Sequence, residues 1–228
     1  VTGELRQTLE GEAPKPFVEH YWEGQMFQGY HGAAFSPDGS LLVTLGSGGA
    51  SIYDTQDGSL VRSIEGDNAQ QADISADNRW LLSALRIQAN PPAMYDLQSG
   101  ENVFWLEGWG YTNIQYKISP DNRWVGVAAQ CEDSYQFQLW DFASHTILQS
   151  LDFSPEIPLL SLAFSPDSRM VALGQADGQI FLVDLSTFQV VATLTGHRGA
   201  VERLAFSPSG RYLASGGQDG TIRIWGVP

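Results

Sequence analysis

The chain has 228 residues, of which 43% are hydrophobic, so it is long enough to bury a substantial core. Its formal net charge of −14 repels phosphate backbones, which argues against nucleic acid as a partner. No apolar run approaches the roughly 20 residues of a membrane span, so no membrane partner is expected. The single cysteine, Cys131, excludes an intramolecular disulfide and favours a reducing, cytoplasmic compartment.

The N-terminal residues predict one short strand and then a long loop. Residues 2–11 read TGELRQTLEG, in which apolar and polar residues alternate as in a half-buried strand. Residues 12–30 form a loop that carries several aromatic side chains, including Trp22 and Tyr30. Because the chain begins at Val1 rather than at a methionine, we expect it to be a processed or excised piece, and part of a larger chain.

From residue 31 onward the sequence repeats. The stretches AAFSPDGSLL, ADISADNRWLL, YKISPDNRWV, LAFSPDSRMVAL and LAFSPSGRYLA share an apolar strand end, a serine, a polar turn and a second strand. In a second register, an aromatic or apolar residue precedes Asp or Gly, at spacings of 42, 45, 43 and 42 residues. Each repeat therefore predicts four short antiparallel strands, the size of one propeller blade. The predicted blades cover residues 31–66, 67–108, 109–152, 159–196 and 200–226.

The last repeat carries the most specific motif of the sequence. The segment TGHRGAVERLAFSPSGRYLASGGQDGTIRIWG contains a Gly-His pair ending at His197, an aspartate in the predicted second turn, Asp219, and Trp225. With these residues the chain resembles the WD-repeat (WD40) β-propeller family over nearly its whole length. The resemblance implies structural roles for all three side chains, with His197 donating to the turn aspartate. Family members complete this buried tetrad with Ser or Thr two residues before the aspartate. This chain has Gly217 there, which implies three members of four.

The fifth repeat lacks a fourth strand, and the N-terminal strand has the form of the missing one. An open strand edge invites aggregation, so we predict that residues 4–10 pair with the strand at 221–226 and close a ring. The predicted fold is an all-β propeller of five four-stranded antiparallel blades, in a single domain over residues 1–228. The WD40 family usually has seven blades, so the alternative is that the chain is a fragment of a seven-bladed propeller.

The sequence contains no motif that predicts catalysis. It has no G-x-S-x-G, no phosphate loop and no H-E-x-x-H, and its four histidines have no ligand spacing. We therefore expect no catalytic residue, no metal and no cofactor. A five-bladed propeller can also be a glycosidase, which needs convergent carboxylates. On the innermost strands only Asp73 and Glu202 are acidic, and their positions differ in parity, so they are expected to face opposite ways.

The third strand of each repeat ends in an aromatic or apolar residue followed by Asp or Gly, and these end positions form a column across the repeats. An aspartate directly before a turn accepts hydrogen bonds from backbone N–H groups two residues further on, which fixes the turn. We therefore assign structural roles to these aspartates and to the tryptophan of the column. The residues are Asp54, Asp96, Trp140 and Asp141, together with Asp177, which keeps the second turn aspartate in the fourth repeat.

The resemblance also implies where a partner would bind. In WD40 propellers the loops from fourth strand to first, and from second to third, gather on one face around the central channel. Aromatic side chains on such loops bury a large area at small entropic cost, or they pack into the ring instead. The candidate residues on this face are Trp22, Tyr30, His31, Gln70, Trp109, Tyr111, Ile114, Leu160, Arg198, Glu202, Arg203 and Gln218.

These observations favour a non-catalytic interaction scaffold that presents this face to a protein or peptide. The acidic composition favours a basic peptide, and we expect the closed ring to be a monomer. Two alternatives remain open. One is a propeller that binds a carbohydrate or another small ligand, as a lectin or glycosidase does, through Trp22, Trp109 and nearby tyrosines. The other is a purely structural module of a larger multidomain protein.

Overall fold

The computed structural model describes residues 30–46, 49–65, 71–83, 92–106, 114–131 and 134–227. Within these residues the chain forms nineteen β-strands and no helix, as the absence of a 3.6-residue period predicted. The strands form five antiparallel sheets, in which each strand pairs with its neighbours along the sequence. The chain divides into two compact units, with the boundary after Trp105.

The first unit contains two sheets. The first sheet comprises β1 (Tyr30–Phe35), β2 (Leu41–Gly46), β3 (Gly49–Asp54) and β4 (Leu60–Glu65). The second sheet comprises β5 (Ala72–Ile74), β6 (Trp80–Ser83), β7 (Ala93–Asp96) and β8 (Asn102–Trp105). Arg62 joins the two sheets, because its guanidinium donates to the backbone carbonyls of Gln98 (2.6 Å) and Ser99 (2.8 Å) in the turn before β8.

The second unit contains three sheets. The third sheet comprises β9 (Gln115–Ile118), β10 (Trp124–Cys131), β11 (Ser134–Asp141) and β12 (Thr146–Phe153). The fourth sheet comprises β13 (Leu159–Phe164), β14 (Met170–Gln175), β15 (Ile180–Asp184) and β16 (Gln189–Leu194). The fifth sheet comprises β17 (Val201–Phe206), β18 (Tyr212–Gly217) and β19 (Ile222–Gly226).

Sheets of the second unit pack face to face through alternate residues of their strands. Phe137 of the third sheet and Phe164 of the fourth belong to one buried cluster. A glycine at position 126 makes room for this contact, since a Cβ there would lie 2.8 Å from the ring of Phe164. Leu182 of the fourth sheet and Leu213 of the fifth share the next cluster. Burial of such side chains on both faces of the fourth sheet supplies the main driving force for folding.

The register of the hairpins reproduces the predicted repeat. The aromatic or apolar residue before the Asp or Gly that ends the third strand lies opposite an apolar residue of the second strand, as in the pairs Leu42–Tyr53, Val125–Trp140 and Leu213–Trp225. The all-β propeller architecture predicted from the sequence is confirmed by the five sheets together with the structural comparison reported below. Residues 4–10 lie outside the described residues, so the closure of the ring and the single-domain organisation stay predictions.

Candidate functional site

One end of the fifth sheet gathers several of the candidate residues. The chain enters this end through His197 and Arg198, runs into β17 at Val201, and returns through the turn between β18 and β19. Gly220 in that turn has φ +75°, a backbone conformation that an L-residue rarely adopts, which is why glycine follows Asp219. Buried groups on β18 and β19 then fix the position of both loops.

Four side chains form a buried hydrogen-bonded network behind these loops. The imidazole Nδ1 of His197 lies 3.0 Å from Asp219 Oδ2, and its Nε2 lies 2.7 Å from Ser215 Oγ. The indole N–H of Trp225 donates to the same Ser215 oxygen at 2.8 Å. The carboxylate facing Nδ1 favours the tautomer with its proton on Nδ1, so that Nε2 accepts the serine hydroxyl proton. Every polar atom that this tetrad buries therefore has a partner.

The sequence prediction of an incomplete tetrad is wrong. Gly217 was assigned to the hydroxyl position, but Ser215, four residues before Asp219, supplies the hydroxyl. The reason is strand alternation: Ser215 lies on the same face of β18 as Leu213, and Leu213 pairs directly with Trp225. The serine therefore projects beside the indole, while Gly217 leaves the space that the imidazole of His197 fills.

The order Ser–His–Asp in this network matches the connectivity of a hydrolase triad, yet its geometry is structural. Ser215 is buried, and its oxygen already accepts the Trp225 indole N–H. A nucleophilic serine needs an oxygen that a substrate carbonyl can approach at hydrogen-bond distance. Here the indole of Trp225 lies against the Ser215 oxygen, where a substrate carbonyl would have to approach. The network therefore holds the two loops together.

Asp219 is the most strongly perturbed carboxylate among the described residues. Its carboxylate accepts the backbone N–H of Arg198 (3.0 Å) and the hydroxyl of Thr221 (2.7 Å). These bonds to the charged form, the Arg198 N–H foremost, hold the pKa of Asp219 far below its ordinary value. The carboxylate thus stays ionised and ties the loop before β17 to the turn after β18.

The aspartates at the ends of the third strands all lie in turns. Asp54, Asp96, Asp141 and Asp184 each accept a backbone N–H from two residues further on, at 2.7 to 3.1 Å. Asp177 accepts the backbone N–H of Gln179 at 3.0 Å in the turn between β14 and β15. Trp140 is buried on β11. The aspartates therefore stabilise turns.

The turns between the first and second strands share one hydrogen-bond pattern, in which a serine bonds to an aspartate two residues further on. The sequence analysis did not predict this pattern. Ser165 Oγ donates to Asp167 Oδ1 at 2.6 Å and accepts the backbone N–H of Met170 at 2.9 Å. The same pairs occur in three other sheets, as Ser36 with Asp38, Ser75 with Asp77 and Ser119 with Asp121. In the fifth sheet Ser209 replaces the aspartate, and the Ser207–Ser209 oxygens are 3.2 Å apart. The repeated Ser-x-Asp spacing was the available signal.

Four of the candidate face residues meet at the end of the fifth sheet. Gln218 Nε2 donates to Glu202 Oε1 at 2.9 Å, and Arg203 donates to the backbone carbonyl of Glu202 at 2.7 Å. Arg198 is exposed, and its own N–H is held by Asp219. The four side chains are all exposed to solvent, so a partner could reach a carboxylate, an amide and two guanidinium groups in one place.

The remaining candidates are distributed differently. Ile114 and Leu160 are half-buried, the first just before β9 and the second in β13. Tyr30 and His31 begin β1 in the first unit. The other predicted face residues, Trp22, Gln70, Trp109 and Tyr111, lie outside the described residues. The described part of the chain contains no group of three His, Cys, Asp or Glu side chains that would hold a metal ion. None of its segments is a helix long and apolar enough to cross a membrane.

Comparison with known proteins agrees with the tetrad and the sheets. The family model described as "WD domain, G-beta repeat" matches residues 188–226, the segment that holds all four tetrad side chains. The chain carries a WD40 repeat on a β-propeller fold. No curated protein matches it.

A solved structure supports the propeller fold. The β-propeller domain of Cps50 (Swd1) from Myceliophteria thermophila is similar, with a TM-score of 0.71 at 20% sequence identity. The match covers 86% of this chain and 65% of that one, so this WD40-repeat chain spans about two thirds of the length of the structure that it matches. Because 1529 solved chains match, the fold by itself selects no partner.

Proposed function

We propose that the chain is a non-catalytic interaction scaffold that binds a protein or peptide at the end of the fifth sheet. WD40 propellers are generally protein-interaction scaffolds, and the chain carries their repeat and fold. The observation that carries the proposal is the exposed group of Arg198, Glu202, Arg203 and Gln218, which lie at the start of β17 and on the two loops that the buried tetrad joins. A partner that contacts this group orders little new backbone, so little of its binding free energy is lost to conformational entropy.

The charge of the molecule favours a basic partner. A net charge of −14 creates a negative potential that accelerates the encounter with cationic peptides. At the site itself, Glu202 presents a carboxylate of which Gln218 engages one oxygen. Its other oxygen is open to a lysine or arginine, and the nearby guanidinium groups of Arg198 and Arg203 suit a carboxylate on the same peptide. The proposed ligand is therefore a mainly basic peptide with one acidic group.

Solution binding measurements test the proposal. Three probes are titrated by calorimetry: a short Lys/Gly peptide that contains one Glu, a matched Glu/Gly peptide, and a series of simple sugars. We expect the basic peptide to bind and the acidic peptide to fail. The Glu202→Gln variant keeps an amide oxygen for Gln218 but loses the charge, so its affinity for the basic peptide should fall by about 3- to 10-fold.

Glu101→Gln provides the matched control, since Glu101 is an exposed glutamate in a turn of the second sheet. It removes the same charge from the molecule and should leave the affinity nearly unchanged. Equal loss in both variants would mean that only the overall charge attracts the peptide, and the proposed site would be wrong. Binding of a sugar with no response to the basic peptide would favour the carbohydrate alternative.

A further inference from the structure

The carboxylates at the loop end of the fifth sheet differ in how many of their oxygens accept hydrogen bonds. Asp219 uses both oxygens, since Oδ1 accepts the backbone N–H of Thr221 at 3.0 Å and Oδ2 accepts that of Arg198 at 3.0 Å. Glu202 uses only Oε1, which accepts the side-chain amide of Gln218 at 2.9 Å. Within the described residues, Oε2 of the exposed Glu202 side chain has no hydrogen-bond donor.

A third carboxylate, in the neighbouring turn of the fourth sheet, is also fully engaged. Gly178 of that turn lies against the loop of His197, because a Cβ on it would be 2.5 Å from the His197 carbonyl oxygen. Asp177 in the same turn accepts the backbone N–H of Gln179 at one oxygen (3.0 Å) and the side-chain amide of Gln179 at the other (2.7 Å). Of these three carboxylates, only Glu202 therefore keeps an oxygen that is open to a ligand.

The backbone of Gln218 is held by the loop that precedes β17. Its N–H donates to the carbonyl of Ala200 at 2.9 Å, and Asp219 ties the same loop to the turn a second time through the N–H of Arg198. A Cβ on Gly199 would lie 3.3 Å from the Cβ of Gln218, so the base of the glutamine side chain packs against that loop. The amide thus reaches Glu202 from a fixed position, and the bond between them costs little conformational entropy.

Arginine and lysine differ in the number of acceptor oxygens that they need. A guanidinium binds a carboxylate best through two parallel N–H donors, one to each oxygen. At Glu202 the second donor would have to share Oε1 with the amide of Gln218. An ammonium is a compact charge with three donors that rotate together, so a single oxygen suffices for it. The hydrogen bond from Gln218 therefore removes the advantage that a guanidinium has at an open carboxylate.

The loop site comprises Arg198, Glu202, Arg203 and Gln218, the exposed group that is proposed above to bind a peptide. We propose that Gln218 makes this site select a lysine over an arginine at Glu202. The inference rests on the proposed function and deepens it, because it names the residue that the partner places at the carboxylate. Gln218 is in this sense a specificity-determining residue: it leaves the charge of Glu202 unchanged and limits the number of oxygens that a ligand can use.

The side-chain amide signals of Gln218 give a first readout by NMR. A bond to a carboxylate moves one of the two amide protons downfield. The lysine of a bound peptide uses the other oxygen of Glu202, so this downfield signal should persist when a Lys/Gly peptide with one Glu is added. Loss of the signal on addition of that peptide would show that the ligand displaces the amide, and it would overturn the proposal.

Two peptides that differ only in the cation test the specificity itself. Both have the same length and one glutamate in a glycine background, and one carries lysines where the other carries arginines. Calorimetric titration of the wild-type chain should show that the lysine peptide binds about threefold more tightly. Gln218→Met keeps an unbranched side chain against Gly199 but cannot donate to Glu202, so both carboxylate oxygens become available. In this variant the arginine peptide should bind at least as tightly as the lysine peptide.

Gln189→Met is the matched control, because Gln189 is an exposed glutamine at the start of β16, at the opposite end of the fourth sheet from His197. It should leave the ratio of the two affinities unchanged. Equal affinities of the wild-type chain for the two peptides, or a lysine preference that persists in Gln218→Met, would overturn the role of Gln218 and leave the loop site in place. Failure of both peptides to bind the wild-type chain would overturn the loop site, and the lysine selection with it.

Discussion

The Cα of Gly217 lies so close to the imidazole of His197 that a Cβ added to it would be 2.5 Å from Nδ1. The imidazole has no room to withdraw, because Asp219 holds one ring nitrogen and Ser215 the other. Gly217 therefore supports the tetrad because it has no side chain that would displace the imidazole. A serine at this position, the residue that the family resemblance led us to expect, would break the network that it was supposed to complete.

Substitution of Gly217 by alanine tests this steric role. We expect Gly217→Ala to lower the free energy of unfolding by about 1 to 3 kcal/mol, because overpacking forces the imidazole away from its two partners. Urea denaturation followed by tryptophan fluorescence measures the change. Gly226→Ala is the control, since nothing lies within 4 Å of a Cβ there, and it should be close to neutral. A Gly217→Ala chain as stable as the wild type would show that the histidine can move.

Removal of the Ser215 hydroxyl tests the tetrad itself. Ser215→Ala leaves the Trp225 indole N–H and the His197 Nε2 without the oxygen that both contact, so we expect a loss of about 2 to 3 kcal/mol. Ser83 occupies the same register position in the second sheet, is equally buried, and donates to the carbonyl of Gln71 at 3.0 Å. Ser83→Ala should therefore cost about 1 kcal/mol. Equal losses would mean that the tetrad contributes nothing beyond one hydrogen bond.

Restoring the serine–aspartate turn in the fifth sheet should stabilise the chain. Ser209→Asp gives the Ser207 hydroxyl and the backbone N–H of Arg211 a charged acceptor, in place of contacts of 3.2 and 3.4 Å. We expect a gain of about 0.5 kcal/mol, measured as a rise in melting temperature. The reverse change in the fourth sheet, Asp167→Ser, should lower the melting temperature. A fall in both variants would show that added negative charge outweighs the turn.

The turn carboxylates make the chain sensitive to acid. Hydrogen bonds hold the pKa values of Asp38, Asp167, Asp184 and Asp219 below their ordinary value, with backbone N–H groups or serine hydroxyls as the main cause. The unfolded chain then binds more protons than the folded chain, so stability is fully present above about pH 5 and falls as the pH drops through about 4 and below. Melting temperatures measured across this pH range test the expected loss of stability. Asp219→Asn should flatten the dependence of the melting temperature on pH. An unchanged slope would show that other groups cause this dependence.

We predict that residues 4–10 form the fourth strand of the fifth sheet. The predicted alternation of inward and outward side chains along this strand can be tested by substitution. If this segment pairs with β19, Leu9 points into the packed side and Thr8 points away. Leu9→Asp should then lower the melting temperature by several degrees or cause aggregation, whereas Thr8→Asp should be tolerated. Deletion of residues 1–11 should act like Leu9→Asp. A deletion without effect would show that the segment does not complete the sheet.

The fold was predictable because its signals are local. A period of about 43 residues, strand alternation and aspartates before turns each depend on a few neighbouring residues, and all appear in the sheets. Ser215 was missed because its role depends on the register of β18 against β19, which decides which side chains flank Trp225. Parity places Leu213, Ser215 and Gly217 on one face but does not say which of them lies beside the indole.

The exposure of Ile222 and Ile224 on β19 was not predictable for a different reason. The apolar residues of β19 match those of β15, so the sequence indicates a surface made for burial in both sheets. Whether another sheet covers that surface is a property of the packing between sheets, which strand patterns do not encode. The positions of Arg198, Glu202 and Gln218 at one end followed from the repeat, but the hydrogen bond between Glu202 and Gln218 did not.

The hydrogen bonds that close a serine–aspartate turn come from a stretch as short as residues 165–170. These closing bonds need nothing from the neighbouring repeat, although Ser168 of the same turn also accepts the backbone N–H of Asp121 from the third sheet at 3.1 Å. A gene segment that encodes one repeat can therefore be copied or lost with the closing bonds of its turn intact. Only the apolar faces between sheets have to match, and these are nearly the same from one repeat to the next. The number of repeats in descendants of this chain is therefore free to change by whole units, and recombination within a repeat would be the event that selection removes.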